Sequence, residues 1–276
     1  KSIALFRTVL EDLERFIQTR GCERLQDITA ADLEDYRLHL VNRDFAPASL
    51  CRYLRTVRQF FAWLEEHQHL FLNPAADLTL PAVPPKLLAV PSEEEMTRLL
   101  AQPNINTLCG LRDRALLETL YATGARREEM NRMNTAHLDL DNRTVRVMGK
   151  GRRERMLPLG TQASDWLGRY LKTARPKLLR GNDEEPALWI DRHGHRLAYA
   201  MFPQIVRQHA RQASLSTHLT PHSIRRACAT HMLRHGAHPL QLQLLLGHSS
   251  LRHLSQYLRL SITDLQRAHA QTNPGR

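Results

Sequence analysis

The sequence predicts a mainly helical protein of the α+β class, built from two domains and containing one small antiparallel sheet. Apolar residues recur at the spacing of buried helix faces along most of the 276 residues. Two short alternating segments flank a glycine-containing turn at 149–151, which is typical of a β-hairpin. A proline-rich segment at 80–86 separates two parts of opposite charge, as a stiff linker between domains would.

The charge is divided unevenly along the chain. In total there are 39 Lys and Arg against 28 Asp and Glu, a formal net charge of +11. Residues 1–84 hold 10 basic and 12 acidic residues, whereas residues 85–276 hold 29 and 16. This excess predicts a polyanionic partner. An exported or membrane protein is not expected, because no apolar run approaches the roughly 18 residues of a membrane span and no signal peptide is visible.

Metal and nucleotide motifs are absent from the sequence. Four cysteines are widely scattered without a C-x-x-C pair, so we expect reduced thiols rather than disulfides or a zinc site. The 15 histidines include no H-E-x-x-H motif. The segment around Lys150 is not a phosphate-binding P-loop, because Gly151 stands where Ser or Thr is required.

The first domain is predicted to be all helical. A first helix is expected to end at Gly21. Thr29 is expected to cap a second helix, and Ser49 to cap a third that follows Pro47. The residues expected on the buried helix faces are Phe6, Leu10, Leu13, Ile17, Leu33, Tyr36, Leu40, Leu50, Tyr53, Leu54, Val57, Phe61 and Leu64.

A row of arginines lies along the third predicted helix. Arg52 and Arg55 fall on the face opposite the apolar stripe, with Arg58 close by. A charged face of this kind is often only solvated. Because the rest of this domain is acidic, the row could instead contact a phosphate backbone. The sequence leaves both interpretations open.

The second domain is predicted to begin with a helix capped by Ser92 and Glu95, which form a capping box. A further helix over 111–121 is expected to end at Gly124. From Tyr199 onward the chain is predicted to be helical to near its end.

The predicted sheet is antiparallel and small. Strands at 144–148 and 155–159 form the hairpin, and a third short strand is expected at 188–190.

Four segments and one tyrosine together resemble the tyrosine recombinases of the phage integrase family. They are TGARREEM at 123–130, VMGKGRRERMLPL at 147–159, LTPHSIRRACATHML at 219–233, LLLGHS at 244–249 and Tyr257. Each element alone has an ordinary structural explanation. Their order, spacing and residue types agree over nearly the whole chain, and the resemblance is strongest to the Xer-like branch.

The resemblance implies a catalytic role for each motif residue. Tyr257 is the nucleophile that attacks a DNA phosphodiester and becomes joined to the 3′-phosphate. Arg126 and Arg225 hold the non-bridging oxygens. His248, together with His222, assists by hydrogen bonding and proton transfer.

The resemblance also implies a further catalytic residue, a supporting residue and two DNA-binding residues. Lys150 in the hairpin turn protonates the departing 5′-oxygen, and Glu129 holds the first arginine motif in place. Arg152 and Arg153, beside this lysine, are expected to bind DNA. Two guanidinium groups can neutralise the charge that divalent metals often neutralise, so no metal is expected as a cofactor. A covalent phosphotyrosine preserves the energy of the broken linkage, so no ATP is expected either.

The family resemblance also implies an architecture and partners. Residues 1–80 would form a SAM-like core-binding domain, residues 81–91 a linker, and residues 92–276 the catalytic domain with a tail helix. The two domains would close as a C-shaped clamp on a double-stranded recombination site. A tetramer on two DNA sites is expected, with a possible accessory recombinase or architectural protein, in the bacterial cytoplasm at the nucleoid.

The sequence departs from common family residues at Arg226, Cys228 and the pair Leu258-Arg259. Cys228 is expected to be core packing.

Several alternatives remain open. The tail after Tyr257 could fold back on its own domain or dock on a neighbouring subunit. A DNA-binding protein with an idle tyrosine and a topoisomerase-like nicking enzyme are the rival functions. The DNA target sequence cannot be read.

Overall fold

The structure is a computed structural model, and the chain divides into two compact units, residues 1–87 and 88–276. The described residues are 2–22, 24–83, 90–149, 154–215 and 219–247. Most of the predicted linker lies outside them. No helix within these ranges has both the length and the apolar character needed to cross a bilayer.

The first unit is helical throughout its regular structure, as predicted. Its helices are α1 (Ser2–Gln18), α2 (Ala30–Asn42) and α3 (Pro47–Glu66), with a 3-10 turn at Leu25–Asp27. They enclose one apolar core in which Leu33, Tyr36 and Leu54 are fully buried. Phe6, Leu10 and Tyr53, which were expected in that core, are only half-buried.

The two predicted helix caps of this unit have different outcomes. Thr29 caps α2 as expected, in a reciprocal capping box with Asp32. Ser49 does not cap α3, because that helix already begins at Pro47 after Ala46. Proline is favoured in the first turn of a helix, where no intrahelical N–H donor is needed, so Ser49 falls inside the helix.

The second unit has most of its apolar core around one central helix, α5. The helices are α4 (Glu93–Ala101), α5 (Leu108–Thr123), α6 (Arg127–Arg132), α7 (Thr161–Arg169), α8 (Arg175–Leu179), α9 (Met201–Gln212), α10 (Pro221–Arg234) and α11 (Pro239–Leu246), with a π turn at Tyr170–Ala174 and a 3-10 turn at Thr135–His137. The Ser92–Glu95 capping box is confirmed at the start of α4. Helix α5 packs against α7 and α10, which places its carboxyl end beside α10.

A three-stranded antiparallel sheet of order β1-β2-β3 lies beside these helices. The strands are β1 (Leu138–Asp139), β2 (Thr144–Met148) and β3 (Glu154–Pro158). The predicted hairpin is confirmed, with Val147 opposite Arg155 and Val145 opposite Leu157. Strand β1 was not predicted, since two residues are too few to show an alternating pattern.

The third strand predicted at 188–190 is wrong. Leu188, Trp189 and Ile190 are all buried, so their apolar character reflects a position inside the core rather than one face of a sheet. Their backbone makes only single bridges, at Ala187 and Ile190, and no ladder. A short apolar run does not distinguish a buried irregular segment from a strand.

Candidate active site

The site begins where α5 ends. Gly124 terminates this helix in the left-handed region with φ of 56°. A Cβ there would lie 3.0 Å from Cδ2 of Leu246 and 3.2 Å from Sγ of Cys228, so glycine allows α10 and α11 to approach closely. Cys228 is buried, as expected for core packing, and this burial raises the pKa of its thiol to about 12.

Glu129 is the anchor of the first arginine motif. It is 2% exposed, and its carboxylate accepts four hydrogen bonds. Arg126 donates through its backbone N–H to Oε2 at 2.7 Å and through Nη1 to Oε1 at 2.9 Å. Arg155 donates through Nη1 to Oε1 at 2.7 Å and through Nη2 to Oε2 at 2.9 Å. Two guanidinium groups therefore share one buried carboxylate.

These contacts keep Glu129 ionised. Burial by itself would raise the pKa of Glu129, but the hydrogen bonds and charges of Arg155 and Arg126 outweigh it and lower the pKa below the usual 4.5. The cluster of two cations and one anion retains a net positive charge.

Arg126 extends from Glu129 to the end of α11. Its Nη2 donates to the main-chain carbonyl of Gly247 at 2.7 Å, and its side chain is 39% exposed. A guanidinium has five N–H groups. The described contacts of Arg126 use one N–H of Nη1 and one N–H of Nη2. The remaining groups can bind a ligand at the exposed side.

Arg225 is held from the opposite side and is almost fully buried. On α10, it donates through Nη1 to the carbonyl of Gly124 at 2.5 Å and through Nη2 to the carbonyl of Leu246 at 2.7 Å. These carbonyls lie at the carboxyl ends of α5 and α11, where backbone acceptors lack intrahelical partners and the helix dipole favours a cation.

Three successive carbonyls at the end of α11 thus accept from three different arginines. Leu245 is bound by Nε of Arg155 at 3.0 Å, and the carbonyls of Leu246 and Gly247 are bound as described above. Gly247 adopts φ of 61°, the left-handed conformation with which helices commonly end.

His222 lies one helical turn before Arg225 on α10 and is accessible to solvent. Partial desolvation of the ring, followed by the charges of nearby arginines, lowers the pKa of His222 below the ordinary 6.5. Those arginines are Arg225, Arg226 and Arg126. The environment therefore favours the neutral imidazole at pH 7.

The structure brings Arg126, Glu129, His222 and Arg225 together around the ends of α5 and α11. The other predicted residues of this domain lie outside the described residues: Lys150, Arg152, Arg153, His248 and Tyr257.

Arg155 was not singled out from the sequence, yet it contacts both Glu129 and α11. A signal was available, because Arg155 shares the alternating face of β3 with the buried Leu157 and Leu159. A charged residue at an inward position of a strand needs a buried partner.

The arginine row of the first unit lies on the exposed face of α3. Within the part of the chain that the structure describes, Arg52, Arg55 and Arg58 make no ion pair. Arg55 and Arg58 line a groove together with Gln59 and Asn73. Other arginines of this unit do contact carboxylates, namely Arg15, Arg20, Arg37 and Arg43. Among the described residues, the charges of the α3 row are therefore not neutralised by a carboxylate.

Comparison with known proteins gives matches over nearly the whole chain. Residues 90–263 match the model of the phage integrase family, and residues 1–68 match its N-terminal SAM-like domain. The chain is 34% identical over 273 residues to tyrosine recombinase XerD of Shewanella oneidensis, covering 99% of this chain and 90% of that protein. It is 37% identical over 275 residues to tyrosine recombinase XerD of Xanthomonas campestris pv. campestris, covering 98% and 85%.

Among solved structures, the fold is similar to that of XerH site-specific recombinase bound to a palindromic difH substrate in a post-cleavage complex. The TM-score is 0.77 at 20% identity, covering 98% of this chain and 78% of that chain. The helical first unit, the small sheet of the second and the family match define an enzyme of site-specific recombination. The chain belongs to the phage integrase family of tyrosine recombinases and falls in its Xer-like branch.

Proposed function

We propose that this recombinase cuts and rejoins duplex DNA through a covalent bond between Tyr257 and a 3′-phosphate. The observation that supports this most directly is the pairing of Arg126 and Arg225 on adjacent carbonyls at the end of α11. Two guanidinium groups fixed to one helix end are suited to bind the two non-bridging oxygens of one phosphodiester.

The chemistry follows from the charge that develops on phosphorus. Attack by the phenol oxygen of Tyr257 forms an O–P bond while the bond from phosphorus to the 5′-oxygen breaks. The two arginines stabilise the added negative charge in the transition state. The phenolic proton passes to a base, and the 5′-oxygen takes a proton to leave as a hydroxyl. Because the phosphotyrosine retains the energy of the broken linkage, rejoining needs neither ATP nor a metal.

Proton transfer is assigned to three further residues. A phenol has a pKa near 10 and is mostly protonated at neutral pH, so it needs a base or a cationic environment to react. His222 is held neutral and is therefore able to accept a hydrogen bond or a proton, and His248 shares this role. Lys150 is the acid for the 5′-oxygen.

DNA is proposed to contact both domains, with residues 1–80 as the core-binding domain and 92–276 as the catalytic domain. The row on α3 makes no ion pair with any described residue, which supports phosphate contacts by Arg52, Arg55 and Arg58.

The hairpin arginines and the tail complete this proposal. Arg152 and Arg153 would add DNA contacts beside Lys150. The tail after Tyr257 would link four subunits on two recombination sites in the cytoplasm, with an accessory recombinase or architectural protein as a further partner.

A nicked suicide DNA substrate tests the covalent step. The wild type should form a protein–DNA adduct, and mass spectrometry should place the DNA on the peptide that contains Tyr257. Tyr257→Phe should bind the same DNA and form no adduct, whereas the control Tyr53→Phe should form it normally. Binding without any adduct in the wild type would make the protein a passive DNA binder.

A second assay separates recombination from simple nicking and closing. A supercoiled plasmid with two copies of the target site should yield two circles, or an inversion, when exchange occurs. Relaxation of the plasmid without exchange would instead identify a topoisomerase-like enzyme that shares the covalent chemistry.

A further inference from the structure

We infer that Arg155 is a positioning residue for the reaction, which fixes Glu129 and the end of α11 and offsets the charge of Glu129, so that the cluster around Arg126 keeps a net positive charge toward a phosphate. This inference rests on the proposed function, because Arg126 is taken to bind the reacting phosphodiester. Arg155 belongs to the hairpin motif, and its described contacts assign it a role that acts through Glu129 and the end of α11.

The geometry joins three separate elements through one guanidinium. Arg155 lies on β3, five positions after Lys150 in the chain. Its Nη1 and Nη2 bind both oxygens of Glu129 on α6, and its Nε binds the carbonyl of Leu245 on α11. The side chain is 17% exposed, so these bonds are largely shielded from water. One side chain thereby connects β3, the first arginine motif and the end of α11.

The charges indicate a second effect. If Glu129 faced Arg126 alone, the two would form a neutral pair and the attraction of Arg126 for a phosphate would be weakened. Arg155 supplies a second cation at 2.7–2.9 Å from the same carboxylate. The cluster then keeps one net positive charge, and electrostatic stabilisation of a transition state depends on such preorganised charge.

The fit is specific for arginine. Lysine has a compact ammonium group that cannot bind two carboxylate oxygens in parallel and reach a carbonyl at the same time. The guanidinium also packs closely against α11, since a Cβ at Gly247 would lie 3.1 Å from its Cζ. Both the planar shape and the charge of Arg155 are therefore used.

The experiment compares the single-turnover rate of adduct formation in the wild type and four variants. The nicked DNA is present at a concentration that saturates the protein. The variants are Arg155→Gln, Arg155→Lys, the double variant Arg155→Gln/Glu129→Gln, and the control Arg146→Gln. Arg146 lies on the adjacent strand β2 and pairs with the exposed Glu154, so its loss removes the same charge without affecting the cluster. DNA affinity and urea unfolding are measured for each protein.

Arg155→Gln should lower the rate by about 10²-fold, as expected for a small misplacement of a catalytic group. Its DNA affinity should match that of Arg146→Gln, and Arg146→Gln should react at the wild-type rate. The double variant should react faster than Arg155→Gln, because Arg126 is no longer neutralised; a purely structural role of Arg155 predicts no such recovery. Arg155→Lys should fall between Arg155→Gln and the wild type, since it restores charge but not the paired bonds.

Each outcome has one meaning. If the wild type forms no adduct, the proposed function fails before the inference is tested. A wild-type rate for folded Arg155→Gln overturns the inference, and a double variant no faster than Arg155→Gln overturns the charge effect. Where Arg155→Gln is too unstable to assay, Arg155→Lys at the wild-type rate likewise overturns the inference.

Discussion

The main-chain carbonyl of Gly247 accepts a 2.7 Å hydrogen bond from Nη2 of Arg126. These residues are 121 positions apart in the chain, yet the bond places the end of α11 directly on the first arginine motif. Arg225 binds the preceding carbonyl of Leu246 in the same way. Because the next residue is the predicted catalytic His248, the cations of the site also fix the origin of the segment that leads to Tyr257.

A methyl group at Gly247 is expected to disturb this helix end. Gly247→Ala forces an L side chain into φ of 61° and brings Cβ within 3.1 Å of the Arg155 guanidinium. The backbone conformation alone should cost about 1 kcal/mol of unfolding free energy, and the contact adds to this cost. Urea unfolding measures the stability, and the nicked substrate measures adduct formation, which should also slow.

Gly236→Ala is the matched control for this substitution. Gly236 also has a positive φ, of 89°, but a Cβ there would meet nothing within 4 Å. Gly236→Ala should lower the unfolding free energy through its backbone conformation alone, and its adduct formation should be unchanged. Equal losses in the two variants would mean that the contact with Arg155 has no energetic consequence.

Glu129→Gln should be strongly destabilising. The change removes a buried anion and leaves the charges of Arg126 and Arg155 facing each other, and breaking a buried ion pair typically costs about 3–5 kcal/mol. Glu154→Gln is the control, because Glu154 is exposed and pairs only with Arg146 among the described residues. A loss of unfolding free energy in Glu129→Gln as small as that in Glu154→Gln would contradict the shared-carboxylate arrangement.

The same carboxylate should contribute to acid sensitivity. The folded-state pKa of Glu129 lies below the ordinary 4.5, so its stabilising contribution is complete above pH 4.5 and is lost as pH falls through the folded-state pKa. The unfolding free energy of the wild type should therefore fall more steeply in this acidic range than that of Glu129→Gln. Parallel curves would indicate that Glu129 titrates normally.

His222 should titrate below the ordinary histidine range. Its pKa is lowered by partial desolvation and by the adjacent arginines, so the folded protein binds a proton less readily than the unfolded chain. The contribution of the neutral ring to stability is complete above pH 6.5 and is lost as pH falls toward the folded-state pKa. Imidazole NMR, assigned with His222→Asn, should show a midpoint below 6.5 that rises with added salt as the arginine charges are screened. A midpoint that does not respond to salt would remove the arginines as a cause.

The arginine row on α3 predicts a change in the salt dependence of DNA binding. Replacing Arg52, Arg55 and Arg58 by Gln should lower the slope of log affinity against log salt by about 0.9 for each phosphate that is no longer neutralised. The affinity should fall for all DNA sequences alike, because phosphate contacts have no base preference.

The control for the α3 row is the triple variant Arg15→Gln, Arg20→Gln and Arg37→Gln. These arginines lie in the same unit and contact carboxylates, so the net charge changes equally while no DNA contact is expected. Identical slopes for the two triple variants would show that the row on α3 is only a solvated face.

Local signals in the sequence were sufficient for much of the fold and for part of the site. The caps at Thr29 and Ser92 and the terminating glycine at 124 were predicted because each depends on a few neighbouring residues. His222 and Arg225 could be placed on one helix for the same reason. Local spacing failed at 188–190, where an apolar run lies within the core and forms no strand.

Only the tertiary structure decided how the site is held together. Arg155 is 26 positions from Glu129 and 90 from Leu245, and no local rule relates residues at such separations. The sequence identified which side chains could bind a phosphate, because that depends on residue type and spacing. The sharing of one carboxylate by two arginines, and of one helix end by three, depends on which elements pack together, and packing is determined by the whole core.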